Sequence, residues 1–356
     1  MRRKASALVL SLVAGGAAHA SEVPVVLQET YVTERDEAMN VDSVALHASP
    51  GGGMWLFATA KEGDLIRIYD AATGRRLRDF GGPGAGVGQF ERPNGIVAED
   101  GLLIVVERDN HRVQAFALPA LTPLGTFGAE RLVRPYGAYL QAVDGNGAYR
   151  LYVTDNYETA DGRVPAEAEL GRRVVVWSLT VARDAAGAAQ RLATVAAGTF
   201  GATSGPGVLR VVESIAGDPR RNRLLIAEED PAGGRVLKGY TLDGQFRDEI
   251  VGDGVFATQP EGIVLYECGE RGYWIATDQD YTHNVFHVFD RDTLEHVGAF
   301  EGAVTRNTDG IALMPRAFDQ FPSGAFFAVH DDQAVAAFDW RVIARALELP
   351  PACGGR

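Results

Sequence analysis

A short pattern recurs along the chain: a polar residue, a small residue and two apolar residues at the start of a predicted strand. It is most complete at Glu213, where ESIA is followed by a turn, the apolar run LLIA and three acidic residues. The leading polar residues are 52, 42, 77, 48 and 48 residues apart, and strand repeats of this size are typical of β-propeller blades. The copies begin at Asp42, Asn94, Tyr136, Glu213, Glu261 and Asp309.

The repeats predict an all-β fold, a six-bladed β-propeller. A second apolar strand and a third strand, often ending in an aromatic residue, follow each leading residue. The sixth repeat lacks an outer strand, since residues 340–349 have a helical pattern, whereas residues 23–32 form a predicted strand outside any repeat. We therefore expect the N-terminal strand to complete the sixth blade and close the ring, which removes an exposed sheet edge.

The first residues have the layout of a secretory signal. Three basic residues precede an apolar run at residues 7–13, and a small-x-small cleavage site occupies residues 18–20. That run is too short to span a bilayer. We expect residues 1–20 to be a signal peptide, residues 21–356 to form a single propeller domain, and the protein to be exported to the periplasm or the medium.

Charge and cysteine content limit the partners and the redox chemistry. The formal net charge is −13, and loss of the signal peptide makes it more negative, which argues against nucleic-acid or anionic-membrane partners. A closed propeller needs no partner for its core, so a monomer is expected. Export permits a disulfide between Cys268 and Cys353, and two free or partly buried thiols are the alternative.

In a propeller the inner strands line one channel, so equivalent repeat positions converge. At the channel mouth we expect Lys61, Arg108 and Tyr136 beside seven carboxylates, which would repel one another unless protonated, paired or bound to cations. Calcium prefers such oxygen ligands, and several calcium ions are expected. For any one of these acids alone, a solvated loop position is the alternative. The predicted metal ligands are Asp42, Glu213, Glu228, Glu229, Glu261, Asp309 and Asp331.

Other sequence motifs give little support for a catalytic or binding site. His283 and His287 have the spacing of a helical zinc site but fall on a predicted strand, which disfavours a metal role. The glycine-rich stretch 81–88 opens no helix, so we interpret it as a flexible connector rather than a nucleotide-binding loop. A Gly-x-Ser-x-Gly motif is absent from the sequence, which leaves serine hydrolase chemistry without support.

Five motifs lie in blades four to six: AEED at 227–230, TLDG at 241–244, PEGI at 260–263, TDGI at 308–311 and FPSGAFFAVHDDQ at 321–333. In this order they resemble the β-propeller phytases. Weaker likeness in VDSVALH and KEGDLIRIYDAATG of blade one and in Tyr136-Gly137 extends the resemblance over nearly all of the mature chain. Residues 88–116 resemble the NHL propeller repeat, which supports the fold and says little about chemistry.

The resemblance implies an exported, calcium-dependent phosphomonoesterase of the 3-phytase type. Such an enzyme hydrolyses myo-inositol hexakisphosphate (phytate) or related phosphate esters with a metal-activated water. It implies that Glu213, Glu261 and Asp309 act in catalysis and that the calcium ligands lie among the acids named above. It also implies that Lys61, Arg108 and Tyr136 contact the substrate phosphate.

The chain departs from the family pattern at several positions. Val41 precedes Asp42 where the family has two adjacent aspartates, Asn156 stands about where it has a lysine, and the aspartate shortly before Thr308 is missing. The arginines just before three leading residues, at positions 92, 134 and 306, are candidates to replace lost positive charge. Two other functions therefore stay open: a non-catalytic ligand- or protein-binding propeller with this fold, and a calcium-dependent lactonase-like propeller.

Overall fold

The computed structural model describes residues 23–49, 51–143, 145 and 147–349. The predicted signal peptide and Cys353 lie outside these residues, so the cleavage and the disulfide stay predictions. Within the described residues, no helix has the length and apolar character needed to cross a membrane.

The described chain forms six sheets, and the observed architecture is the predicted six-bladed propeller. Two short strands come first, β1 (Val25–Leu27) and β2 (Tyr31–Val32). Blade one comprises β3 (Val41–Ala48), β4 (Met54–Ala60), β5 (Leu65–Asp70) and β6 (Arg76–Gly81). Blade two comprises β7 (Pro93–Glu99), β8 (Leu102–Glu107), β9 (Arg112–Ala117) and β10 (Thr122–Phe127). Blade three comprises β11 (Pro135–Ala142), β12 (Ala148–Asp155), β13 (Val174–Arg183) and β14 (Ala189–Phe200).

The remaining blades follow the same meander. Blade four comprises β15 (Ile215–Asp218), β16 (Arg223–Glu228), β17 (Val236–Tyr240) and β18 (Phe246–Val251). Blade five comprises β19 (Gln259–Cys268), β20 (Arg271–Gln279), β21 (Val285–Asp290) and β22 (His296–Gly302). Blade six contains β23 (Ile311–Met314), β24 (Ala325–His330) and β25 (Ala334–Asp339), and helix α1 (Trp340–Ala346) follows. Short 3-10 turns occupy Glu167–Glu169, Pro219–Arg221 and Pro231–Gly233.

The N-terminal segment closes the ring, as predicted, but it is divided between two blades. Strand β2 is the outer strand of blade six and pairs antiparallel with β25. Strand β1 instead runs parallel to β22 and adds a fifth strand to blade five. Between them, the carboxylate of Glu29 accepts hydrogen bonds from the amides of Val304 and Thr305, at 3.0 and 2.9 Å. These bonds tie the chain to the connection between the two blades, so one continuous strand cannot form.

Hydrophobic packing joins each blade to the next. Six buried clusters are present in the described chain, and each lies between two neighbouring blades. The cluster between blades six and one includes Phe327, Val335 and Leu56, so the ring is closed by apolar contact as well as by β2. Burial of this apolar surface is the main favourable contribution to folding.

The inner strands approach one another closely around the axis, where they contact in cyclic order. The amide of Gly137 donates a 3.1 Å hydrogen bond to the carbonyl of Glu213, and that of Gly262 donates to Asp309 at 2.9 Å. A Cβ atom at Gly137 would lie only 2.2 Å from the Glu213 carbonyl oxygen. The small second residue of the repeat is therefore a steric requirement, and it holds the leading residues of adjacent blades together.

Gly137→Ala should lower the free energy of unfolding by about 1–3 kcal/mol, because the added methyl group overlaps the carbonyl of the next blade. Urea unfolding of the purified protein measures this loss. Gly125→Ala is the matched control, since a Cβ atom at that exposed strand position meets no atom within 4 Å. Equal stability of the two variants would contradict the proposed packing at the axis.

Candidate functional site

Two rings of side chains meet at one end of the channel, here called the axial mouth. The first ring consists of the leading residues, and they line a small cavity on the axis. The second ring consists of the residue at the end of the second strand of each blade: the last residue of β20 in blade five, and the first residue after the strand in the other blades. In five blades its backbone amide donates a hydrogen bond to a carbonyl two or three residues before the leading residue, which places the rings side by side. The second ring is Lys61, Arg108, Asn156, Glu229, Gln279 and Asp331.

Three carboxylates converge at blades four and five. Glu213, Glu229 and Glu261 each offer a carboxylate oxygen within 4.8 Å of the others. The side-chain amide of Gln259 donates to Glu261 at 2.6 Å and to Glu229 at 3.3 Å. The other oxygen of Glu229 is buried and has no hydrogen-bond partner. An unpartnered buried oxygen within a group of carboxylates is a favourable position for a cation.

The protonation of these acids reflects their crowding. Burial, and after it the charge of Asp42, raise the pKa of Glu213 to about 7, whereas the charge of Lys61 opposes the shift. Burial and then neighbouring carboxylates raise the pKa values of Glu229 and Glu261 well above their usual range. Without a cation these side chains are therefore driven toward their neutral forms.

Blades six and one extend the acidic group. The ammonium of Lys61 lies 2.6 Å from Asp42, and Gln279 donates to Asp309 at 3.1 Å. Burial and the charge of Asp42 raise the pKa of Asp309. Burial alone would lower the pKa of Lys61, but the charges of Asp42, Asp309 and Glu213 raise it overall. Lys61 is thus a fixed positive charge among the acids.

Asp332 is a member of this group that the sequence analysis missed. Burial raises the pKa of Asp332, and its carboxyl is hydrogen-bonded to Asp309. Both Asp331 and Asp332 have a left-handed backbone, with φ of 56° at each, so the alternation of side chains expected for a strand ends there. The complete acidic arc comprises Asp42, Glu213, Glu229, Glu261, Asp309 and Asp332.

Hydrogen-bond donors occupy the opposite side of the axial mouth. The hydroxyl of Tyr136 is hydrogen-bonded to Arg108 and lies 3.5 Å from a guanidinium nitrogen of Arg134. Asn94, only 1% exposed, lines the axial cavity with both atoms of its amide unpartnered. We call Lys61, Arg108, Arg134 and Tyr136 the donor arc. It lies on blades one to three, and the acidic arc continues from blade four through blade six to blade one.

The structure does not bring Glu228 to the axial mouth. Its carboxylate is fully buried and accepts hydrogen bonds from the amides of Arg210, Val211 and Asp230, at 2.7, 3.1 and 3.1 Å. The ammonium of Lys238 lies 3.2 Å away. Adjacent strand residues point to opposite faces, so Glu229 faces the channel while Glu228 faces the preceding loop. Acids at the same position hold the equivalent loops in other blades: Glu107, Asp155 and Asp278.

Asp331 is likewise engaged at the rim of the mouth. It accepts hydrogen bonds from Arg306 at 2.8 Å and from Arg35 at 2.5 Å. These bonds outweigh its partial burial and lower the pKa of Asp331. Two arginines thereby neutralise the charge of Asp331. Asp332 occupies the position in the acidic arc that was expected for Asp331.

The histidines and the glycine-rich stretch have other contacts. His287 lies 3.1 Å from His296 and 3.7 Å from Asp278, whereas the side chain of His283 is largely exposed. Arg112 donates to the carbonyls of Ala85 and Gly86, so the stretch 81–88 is a fastened loop rather than a free connector. Across the described ranges, the only group of three or more converging metal-ligating side chains is that of Glu213, Glu229 and Glu261.

Comparisons with known proteins support the fold. A family model of the NHL repeat matches residues 90–116, most of blade two. A search of curated proteins gives no match. The hydrazine synthase of Kuenenia stuttgartiensis is similar in structure, with 12% identity over 88% of this chain and 81% of that chain, and a TM-score of 0.49. A chain of the nidogen/laminin complex is 13% identical over 79% of this chain and 88% of its own, with a TM-score of 0.50, a likeness that concerns the fold alone.

In metal-free buffer at neutral pH, neutralising Glu228 should lower the free energy of unfolding, whereas neutralising Glu229 should raise it. Glu228→Gln places an amide donor against backbone amides and should cost about 1–3 kcal/mol. Glu229→Gln removes one of several repelling carboxylates and should raise the free energy of unfolding. Urea unfolding in the presence of EDTA measures both. Destabilisation of the same size in both variants would contradict the assignment of their two faces.

The metal-free protein should lose stability as the pH rises between about 4.5 and 7. The pKa of Glu213 is raised from 4.5 to about 7, so in this range the folded state holds a proton that the unfolded chain releases. This contribution is fully present below the lower value and is lost above the upper one. Thermal unfolding in EDTA across this range measures the decrease, and Glu213→Gln should make it shallower. An unchanged pH dependence in the variant would exclude Glu213 as a source.

Proposed function

We propose that this protein is an exported, calcium-dependent phosphomonoesterase acting on phytate or a related phosphate ester. The observation that best supports this proposal is the division of one axial mouth into an acidic arc and a donor arc. Carboxylates on the acidic arc suit a hard cation, and arginine, lysine and tyrosine on the donor arc suit phosphate oxygens. The phytase-like motifs of blades four to six agree with this chemistry.

The cation ligands that we propose are Glu213, Glu229 and Glu261, supported by Asp309, Asp332 and Asp42 of the same arc. All are oxygen donors, and the three glutamates already converge within 4.8 Å. The unpartnered oxygen of Glu229 and the raised pKa values of the group are consistent with a site that takes calcium in place of protons. Glu228 and Asp331 are excluded from this proposed set because other groups of the protein bind their carboxylates.

The donor arc would hold and neutralise the phosphoryl group. Arg108 offers a planar fork of donors, and Tyr136 lies beside it. A carboxylate of the acidic arc, such as that of Glu213, can accept the proton of the attacking water. A bound divalent cation supplies charge neutralisation and acidifies water. Lys61, the member of the donor arc that lies beside Asp42, adds a positive charge next to the acids.

A non-catalytic propeller that binds a phosphorylated ligand is the second candidate. One observation favours it: Asn156 stands in the second ring where the resemblance implies a lysine, and its side-chain oxygen accepts a hydrogen bond from the amide of Val212. Asn156 thus supplies a structural contact and no charge. The two candidates share calcium binding and differ in turnover.

Phosphate release by the mature chain tests the proposal. Turnover of phytate and of a simple aryl phosphate should require calcium and stop with EDTA, and Glu261→Gln should lower kcat by about a hundredfold or more. Glu295→Gln, an exposed acid in a turn of the same blade, is the matched control and should retain activity. Calcium binding by calorimetry without any turnover would favour the binding propeller. Absence of both would overturn the two candidates together.

A further inference from the structure

Every cationic side chain of the donor arc already has a carboxylate partner. Arg108 forms two hydrogen bonds to Asp109, at 2.6 and 3.1 Å, and Lys61 lies 2.6 Å from Asp42. Arg134 forms an ion pair with Glu158. The arginines closest to phosphate in the proposed function are therefore locally neutral before any substrate binds.

The rim of the axial mouth is similar, except that two of its arginines share one carboxylate. Arg92 is paired with Glu62, and both Arg306 and Arg35 are paired with Asp331. Counting both arcs and the rim, six cations face ten carboxylates: Lys61, Arg35, Arg92, Arg108, Arg134 and Arg306 against Asp42, Glu62, Asp109, Glu158, Glu213, Glu229, Glu261, Asp309, Asp331 and Asp332. The mouth therefore has no positive charge to spare, and a few bound divalent cations would bring it only to about neutrality.

The segment that supplies Glu158 is fixed in place. It belongs to the long connection between β12 and β13, where the hydroxyl of Tyr157 donates to the carbonyl of Glu169 at 2.6 Å. The guanidinium groups of Arg172 and Arg173 stack on the Tyr157 ring, at 4.0 and 4.4 Å from its centroid. Because its neighbour is held on both sides, the backbone at Glu158 keeps the carboxylate within reach of Arg134.

A polyphosphate is poorly matched to such a mouth. Each phosphate monoester group carries a charge of about −1.5 to −2 at neutral pH. One such group can be neutralised by cations on the acidic arc and by Arg108. Further phosphates on the same molecule would lie against the partner carboxylates of the donor arc and the rim, and like charges at close range are strongly unfavourable.

We propose that the site is specific for esters that carry a single phosphate, and that Asp109 and Glu158 set this specificity by neutralising Arg108 and Arg134. The inference rests on the proposed function and narrows its substrate class. Asp109 and Glu158 act through the arginines and are specificity-determining residues rather than catalytic ones.

The test compares two substrates with the same ring, myo-inositol monophosphate and myo-inositol hexakisphosphate. For the calcium-loaded mature protein, kcat/KM should be higher for the monophosphate. The double variant Asp109→Asn, Glu158→Gln frees both arginines and should shift the ratio of kcat/KM values about tenfold toward the hexakisphosphate. Asp161→Asn is the matched control, because it removes a charge from the same connection, where Asp161 is paired with the exposed Arg163.

Calorimetric binding of both ligands separates this inference from the proposed function. Tighter hexakisphosphate binding by the double variant, without turnover of either ester, would support the inference and overturn the phosphatase activity. Turnover with hexakisphosphate preferred by the natural protein would overturn the inference alone. The inference also fails if the double variant and Asp161→Asn give the same ratio, in turnover and in binding.

Discussion

The close approach of the inner strands around the axis is the constraint on which the structure depends. Glycine or serine after each leading residue lets the strand of one blade reach the carbonyl of the next, as Gly137 reaches Glu213. The same approach forces the leading side chains into one small volume. The repulsion among the carboxylates of the axial mouth is therefore a direct result of the close packing that closes the ring. Protons or cations must neutralise the charge of the acidic arc.

The second strand of each blade separates structural and chemical roles over two adjacent residues. In four blades a buried acid at the end of this strand binds the amides of the preceding loop, as Glu228 does; it is the last residue in three blades and the penultimate residue, Asp278, in blade five. The next residue faces the axial mouth and varies freely: Arg108 in blade two, Glu229 in blade four. Because the acid secures the loop, the neighbouring position can change without loss of the fold.

The repeat period and the pattern of leading residues predicted the blades, the convergence at the axis and the closure by an N-terminal strand. Adjacent acids were harder to distinguish, because sequence shows that Glu228 and Glu229 point to opposite faces but not which of them faces the channel. The left-handed backbone at Asp331 and Asp332 breaks the alternation altogether, so Asp332 could not be selected from the pattern. The division of the N-terminal strand depends on the contacts of Glu29 with a distant loop, which no local signal predicts.

The charges at the axial mouth differ from blade to blade, with the acidic arc on blades four to six and one and the donor arc on blades one to three. This distribution says more about function than the fold does. A solved structure that is only 13% identical has a similar fold, and nothing about the chemistry follows from that likeness. The informative features are the uninterrupted series of acids from blade four to blade one and the pairing of each opposing cation with its own carboxylate. An unpaired Arg108 or Arg134 would attract any polyanion. Under the proposed function, a paired arginine would bind phosphate only when a second interaction, on the acidic arc, contributes to holding it. This requirement would link recognition of the substrate to occupation of the proposed cation site.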